Sequence, residues 1–429
     1  MKELGLSTFI NHRMVIQREK PFPLWSCKKI AVNFLEKTYE AKSVDGRWLV
    51  SLDPAQAGGP FSMNIASENE SFEITDIYIG DVWLCAGQSN MEMQMQRLKD
   101  DFSEEWQLNE YPLVRQFKVP QEWDFSAPSE DLTGGNWLSA SAETLHEFSG
   151  TAWFFARKMY EKYRIPIGLV NTAWGGTPVE AWMSRGALAP WVEKIAAGDQ
   201  YADAAKREAV AKESEQAINV WNNALNASDI GLAQNWKNGD WEKTGGTMSL
   251  PGDFAEAGLK SFCGVLWLKK EFVINENLND NYINEEYKVW LGTITDADTV
   301  YINGVEIGNT GYRYPPRKYS IPHGVLQKGK NTIIIRVICN NGEGGVTIEK
   351  DFRVFSQSES VELAGDWEYC VGIKVPDSCP EQFFFQRQPM GNYNAMIAPV
   401  LKFPLKGVIW YQGESNEQNP HEYAALFQT

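Results

Sequence analysis

The stretch Asp81-Val-Trp-Leu-Cys-Ala-Gly-Gln-Ser89-Asn-Met91-Glu92 constrains this chain most, because an apolar run stops abruptly at a glycine, a polar amide and a serine. Trp83, Leu84 and Cys85 read as a short buried strand, Gly87 permits a tight turn, and a helix is predicted from Met91 onward. A strand that feeds a helix through a tight turn sets a side chain at the carboxyl end of a sheet, where open α/β folds hold their ligands. Ser89 is therefore the first nucleophile candidate. Two later stretches repeat the pattern. Ile167-Gly-Leu-Val-Asn-Thr-Ala173 runs into Trp174-Gly175-Gly176-Thr177 and the helix-like Pro178–Met183, and Gly407-Val-Ile-Trp-Tyr411 runs into Gln412-Gly413-Glu414-Ser415-Asn416. Three strand ends carrying small or hydrogen-bonding residues point to one shared site.

Around these strand ends the chain changes character several times. Residues 1–76 read as all-β: Arg13–Arg18, Ile30–Phe34, Gly46–Leu52 and Phe61–Ala66 are short strand-like runs between turn signals, which predicts a small sandwich. From residue 77 to 230 the pattern becomes strand, helix, strand. In Thr151–Tyr163 the residues Phe155, Met159 and Tyr163 share one stripe, with Ala152 and Ala156 beside them, so a helix is predicted to pack on the Ser89 strand. The Ala, Glu and Lys-rich run between Ala197 and Leu225 reads as a solvated helix. Residues 231–375 are all-β again, with strand-like runs at Gly264–Ile274, Tyr287–Leu291, Thr299–Ile302 and Thr332–Ile338, and Asn303-Gly304 suits a two-residue hairpin turn. A jelly roll is predicted here, inserted into an α/β domain that resumes over 376–429 and ends in a helix at Pro420–Phe427.

Length and charge then bound the function. At 429 residues the chain exceeds the usual size of one core. Its formal charge of −16 argues against a nucleic-acid surface or a polybasic membrane anchor, since phosphates need a positive field. Seventeen tryptophans suit a sugar binder, although packing explains most of them. Cys27, Cys85, Cys263, Cys339, Cys370 and Cys379 show no metal or redox spacing, so no cofactor is expected, and Cys85 reads as a buried thiol. The N-terminal residues carry no apolar leader pattern and no apolar run spans 18 residues, so a cytoplasmic protein is expected; removal of a leader would make it secreted or periplasmic.

A serine hydroxyl attacks only when a base takes its proton and preorganised donors receive the oxyanion. The three strand ends offer the backbone amides of Ser89 and Gly176 and a side-chain amide from Gln412 or Asn416. Each has a plainer reading: Ser89 as a helix cap, Gly175-Gly176 as a tight turn, and Glu414, Glu92 and Glu180 as first-turn carboxylates that favour a helix dipole.

Gly87-Gln88-Ser89-Asn90-Met91, Trp174-Gly175-Gly176-Thr177 and Trp410-Tyr411-Gln412-Gly413-Glu414-Ser415-Asn416 resemble, in order, the first three sequence blocks of the sialate O-acetylesterases of the SGNH hydrolase superfamily. Met14-Val-Ile-Gln-Arg, Asp45-Gly-Arg-Trp48 and Gly80–Leu84 are similar to that group's front β-domain and its junction. The resemblance implies an α/β fold with an SGNH-type doubly wound parallel sheet, flavodoxin-like in three layers, an N-terminal β-sandwich and an inserted jelly roll of galactose-binding-like type. It implies a serine esterase acting on O-acetylated sugars, sialic acid in particular, with Ser89 as nucleophile, Ser89, Gly176, Gln412 and Asn416 at the oxyanion, and Gln88, Asn90, Trp174 and Glu414 supporting the site. The acetylated carbohydrate is the expected partner, with no nucleic acid or membrane.

One departure matters. The family's fourth block, Asp-x-x-His, supplies base and orienting acid, yet Phe9, Glu143, Ser320 and Gln418 stand three positions before His12, His146, His323 and His421. The chain is expected to stop short of that block and to be weakly active or inactive alone. A noncatalytic sugar-binding protein and an acetylxylan-type esterase are the alternatives. A lipase is disfavoured because Met91 stands where the last glycine of a G-x-S-x-G elbow would be.

Overall fold

A computed structural model describes residues 5–107, 111–241, 245–275 and 285–428, which pack as two compact units: Met1–Glu208 with Phe384–Thr429, and Ala209–Phe383. The first unit begins with β1 (Val15–Gln17), β2 (Phe22–Ser26), β3 (Ala31–Phe34), β4 (Lys37–Glu40), β5 (Lys42–Val44), β6 (Arg47–Leu52) and β7 (Gly58–Ala66). It continues with β8 (Ser71–Gly87), β9 (Val114–Lys118), β10 (Trp137–Ser139), β11 (Ile167–Asn171) and β12 (Gly407–Tyr411). The Ser89 strand is thus 17 residues long, and it passes position 76 without a break. Its first half pairs with β7 antiparallel and β1 parallel; its second half lies between β11 and β12, parallel to both. Within the β7 pairing, Asp76 has a φ of 60° and a shifted register that mark a bulge bending the strand, and the change of partners follows at Gly80–Asp81. Buried Arg115 from β9 fixes this bend by donating to the Asp76 carboxylate and to the carbonyls of Asp76 and Arg13.

Around the site the sheet runs β10-β9-β11-β8-β12, parallel except for the edge strand β10. The mixed sheet with its helices is an α/β arrangement. One face, with Cys85, Val114, Ile167 and Leu169, packs against α2 (Gly150–Tyr163) through Ala152, Trp153 and Ala156. Of the predicted stripe, Phe155 meets Trp83 of β8 with ring centres 5.0 Å apart and Met159 packs on the same core, whereas Tyr163 at the helix end is half exposed. The other face, with Val82, Leu84, Phe117 and Val170, packs against Phe9, Trp182, Met396 and Phe403. The helix expected from Met91 is a single turn, α1 (Ser89–Glu92). Its free carbonyls are taken by the start of α2: Ser149 Oγ donates to Met91 O (2.6 Å), Thr151 Oγ1 to Asn90 O (2.8 Å), and Gly150 N to Met93 O (2.8 Å). Further helices are α3 (Val192–Asp199), α4 (Ala204–Ser228), which buries only Leu225, and α5 (Pro420–Phe427), whose bounds are those read from the sequence.

The second unit has an antiparallel six-stranded sheet in the order Gly246–Leu250, Gly365–Lys374, Phe262–Ile274, Gly329–Gly342, Ala297–Ile302, Val305–Thr310. A four-stranded sheet runs Lys318–Ile321, Tyr287–Leu291, Phe352–Phe355, Ser360–Glu362. Leu266, Leu268, Val300 and Ile335 of the larger sheet share a core with Val289, Leu291 and Val354 of the smaller. The alternate residues Val265, Trp267 and Ile334 bury Leu225 and Trp236. The expected hairpin is present, with Asn303 and Gly304 at φ 50° and 81°, the left-handed pair that such a turn requires. Among the described residues no helix is long and apolar enough to cross a membrane.

Candidate active site

The site forms at the carboxyl ends of β8, β11 and β12, all in the first unit. Gly87 has φ +142°, and a Cβ there would lie 2.0 Å from Tyr411 O, so only glycine lets the β8 and β12 ends close together. Gln88 N then donates to Tyr411 O at 2.9 Å and Trp174 N to Gly87 O at 3.1 Å, joining all three strand ends. Ser89 follows as the first residue of α1. The cap position falls on Gln88, one residue earlier; Ser89 itself is exposed, and its hydroxyl has no hydrogen-bond partner among the described residues.

Side chains from α1 then brace both neighbouring loops. Buried Gln88 accepts through Oε1 from Ser415 N (3.2 Å) and Gly413 N (3.4 Å), and Asn90 Nδ2 donates to Glu414 Oε1 (2.6 Å). On the other side Glu92 Oε2 accepts from Gly175 N at 2.6 Å, while its Oε1 accepts from Gln121 Nε2 at 2.7 Å. Gln121 also donates to Ala173 O at 3.0 Å. A Cβ at Gly175 would lie 2.8 Å from Glu92 Oε2 and 3.6 Å from Ser89 Cβ, so the loop sits directly beside the serine. Gly176 follows at φ +70°, and Trp174 is half-buried, its carbonyl accepting from Thr177 Oγ1 at 2.7 Å.

Gln412 requires a correction. It is buried, and Nε2 donates to Asn416 Oδ1 at 2.7 Å and to Thr177 O at 3.2 Å, so both of its N–H groups are engaged within the loops instead of facing the serine. Asn416 in turn accepts from Val179 N at 2.9 Å and donates one N–H to Glu180 Oε2 at 3.0 Å. Glu180 also takes Lys194 Nζ at 2.8 Å, and Lys194 reaches Glu422 on α5. Burial raises the Glu180 carboxyl's pKa, but the Lys194 and Asn416 hydrogen bonds outweigh it and hold the group below its ordinary range. Lys194, also pushed down by burial, is held above its ordinary value by Glu180 and Glu422.

Glu92 and Glu180 were legible only as first-turn carboxylates. The residues they hold lie 83 and 236 positions away along the chain, beyond the reach of local pattern. The histidines are elsewhere engaged or exposed: His12 Nδ1 accepts from Thr75 N at 3.1 Å, His146 lies beside Glu147, and His323 and His421 are exposed. Burial drives the Cys85 thiol far above its ordinary pKa, consistent with a packing role. Among the described residues no cluster of three or more metal-ligating side chains occurs.

An exposed serine on a strand-to-helix turn, flanked by a glycine pair and an amide-rich third loop, defines the class as an α/β fold with a hydrolase-type strand-end site. Residues 79–223 match the family described as carbohydrate esterase, sialic acid-specific acetylesterase. The chain is 36% identical over 167 residues to the sialate O-acetylesterase of Rattus norvegicus, covering 36% of this chain and 30% of that protein. It is 31% identical over 205 residues to that of Homo sapiens, covering 42% and 39% respectively. The match therefore spans well under half the length of either relative. A solved structure described as a novel carbohydrate acetylesterase from Xanthomonas citri is 35% identical, with 43% of each chain covered and a TM-score of 0.41. Over these residues the chain is similar to the sialate O-acetylesterases.

Proposed function

We propose that this chain is a serine carbohydrate esterase that removes O-acetyl groups from sialic acid or related acetylated sugars. Ser89 Oγ attacks the acetyl carbonyl carbon, the sugar oxygen leaves with a proton, and water then releases acetate from the acetyl-serine. The N–H groups of Ser89 and Gly176 receive the oxyanion, with the second N–H of Asn416 as third donor and Gln412 holding Asn416 in place. The observation that carries this reading is the convergence of three braced strand ends on a serine whose hydroxyl is exposed and, among the described residues, unpaired. The relatives' printed names supply the acetyl-sugar class. The front strands form a β-sandwich in this reading, and the second unit, two antiparallel sheets around one core, is an inserted jelly roll.

Since Ser89 has no histidine partner among the described residues, the chain alone retains only the rate that oxyanion binding gives, several orders of magnitude below a complete triad. Burst release from 4-nitrophenyl acetate tests the reading. A small burst that disappears in Ser89→Ala is expected; equal signals from both proteins would overturn it.

A further inference from the structure

Beside the candidate oxyanion loop stands a cation that the proposed chemistry does not use. A Cβ built on Gly176 would meet Arg387 Nη2 at 3.5 Å and Nε at 3.6 Å but Cζ only at 4.0 Å, so the guanidinium turns its Nε–Nη2 edge toward the space where any other residue would carry its side chain. The preceding residue, Gly175, faces Ser89 Cβ in the same way at 3.6 Å. Gly175 and Gly176 are one Cα step of about 3.8 Å apart, so this glycine turn has Ser89 against its first residue and Arg387 against its second. Arg387 ends the short turn Phe385–Arg387, is exposed, and packs its guanidinium 4.5 Å from the ring centre of Phe384. Beyond it, Phe385 joins Trp123, Phe125 and Tyr201 in an aromatic cluster.

We propose that Arg387 is the specificity-determining residue of this site, recognising a carboxylate on the sugar whose acetyl group reaches Ser89. A guanidinium carries five N–H donors in a planar fork, enough to hold a neighbouring group and a substrate carboxylate together, and its bidentate geometry suits carboxylates. In a chain of net charge −16, such a group sets a local preference against the overall field. The assignment rests on the esterase reading for the use of the site but not for its test.

That test is calorimetric titration with N-acetylneuraminic acid and with its methyl ester, in which the carboxylate is masked. The wild type and Ser89→Ala are expected to bind the acid roughly 10-fold more tightly than the ester. Arg387→Gln should bind both alike, and Arg387→Lys should recover part of the preference. Equal binding of acid and ester by the wild type, binding of neither, or a preference that survives in Arg387→Gln would each overturn the assignment. Because Ser89→Ala is read by binding alone, failure of the esterase reading leaves this result intact.

Discussion

Glu92 sits one turn beyond the serine and accepts the Gly175 N–H, so the carboxylate fixes the peptide that precedes the candidate donor Gly176. Removing it leaves that N–H without its acceptor and lets the glycine turn relax, which lowers transition-state stabilisation more than substrate binding. Glu92→Ala should reduce the acyl burst by about 10-fold or more with little change in its substrate dependence, whereas Glu92→Gln, which can still accept from Gly175, should retain most of it. A rise in KM at constant kcat would show that Glu92 serves binding instead. Gly87 tests the same geometry without reference to activity. A Cβ there would overlap Tyr411 O in a φ region closed to alanine, so Gly87→Ala should cost about 2 kcal/mol or more in urea unfolding, because backbone cannot move aside as a side chain can.

Between elements, the ion pairs Glu180–Lys194–Glu422 tie the turn after β11 to α3 and α5, and Glu180 also holds Asn416 at the end of β12. Glu180's folded pKa is depressed, so its contribution is present above the unfolded value of about 4.3 and is lost as pH falls through the folded value. Lys194's folded pKa is raised, so its contribution is present below about 10.4 and is lost as pH rises through the folded value. Lys194→Met should lower the urea midpoint, at unchanged m, by the equivalent of about 1–3 kcal/mol near neutrality. The gap from wild type should stay level from roughly pH 5 to 10 and close in acid; a gap undiminished at pH 3 would mean that packing, not charge, is what Lys194 supplies. These ties also show what sequence can and cannot carry. Local rules were enough for α5, where Pro420 occupies the first turn, for the Asn303-Gly304 hairpin, and for the three strand ends. On α2 they ran the inner face on to Tyr163, which is half exposed, and passed over Trp153, which is buried, because only the partner sheet decides where a helix face begins and ends. They also pointed Gln412 at the substrate, because its acceptors Thr177 O and Asn416 Oδ1 become neighbours only once β11 and β12 flank β8.

Across the whole molecule, each compact unit has its own hydrophobic core, and the second contains a charge pair with no exposure at all. Arg317 Nε meets Asp298 Oδ1 at 2.5 Å, and its remaining N–H groups satisfy the carbonyls of Ile294, Asp296, Arg313 and Pro315. Tyr319 Oη donates to the second carboxylate oxygen at 3.1 Å. Such a pair gains little over apolar packing when intact, because desolvation offsets most of the attraction, but either half left alone is a buried charge without a counterion. Arg317→Met should therefore destabilise the second unit by about 3–5 kcal/mol, and Asp298→Leu by a similar amount. The double variant should cost clearly less than the sum, with its remaining penalty set by the four carbonyls that lose their donors. Hydrogen exchange across residues 294–298 and 313–319, followed in urea, reads this unit directly. Additive losses in the double variant would mean that Arg317 acts through the carbonyls alone, and that the carboxylate beside it is a passenger in the fold.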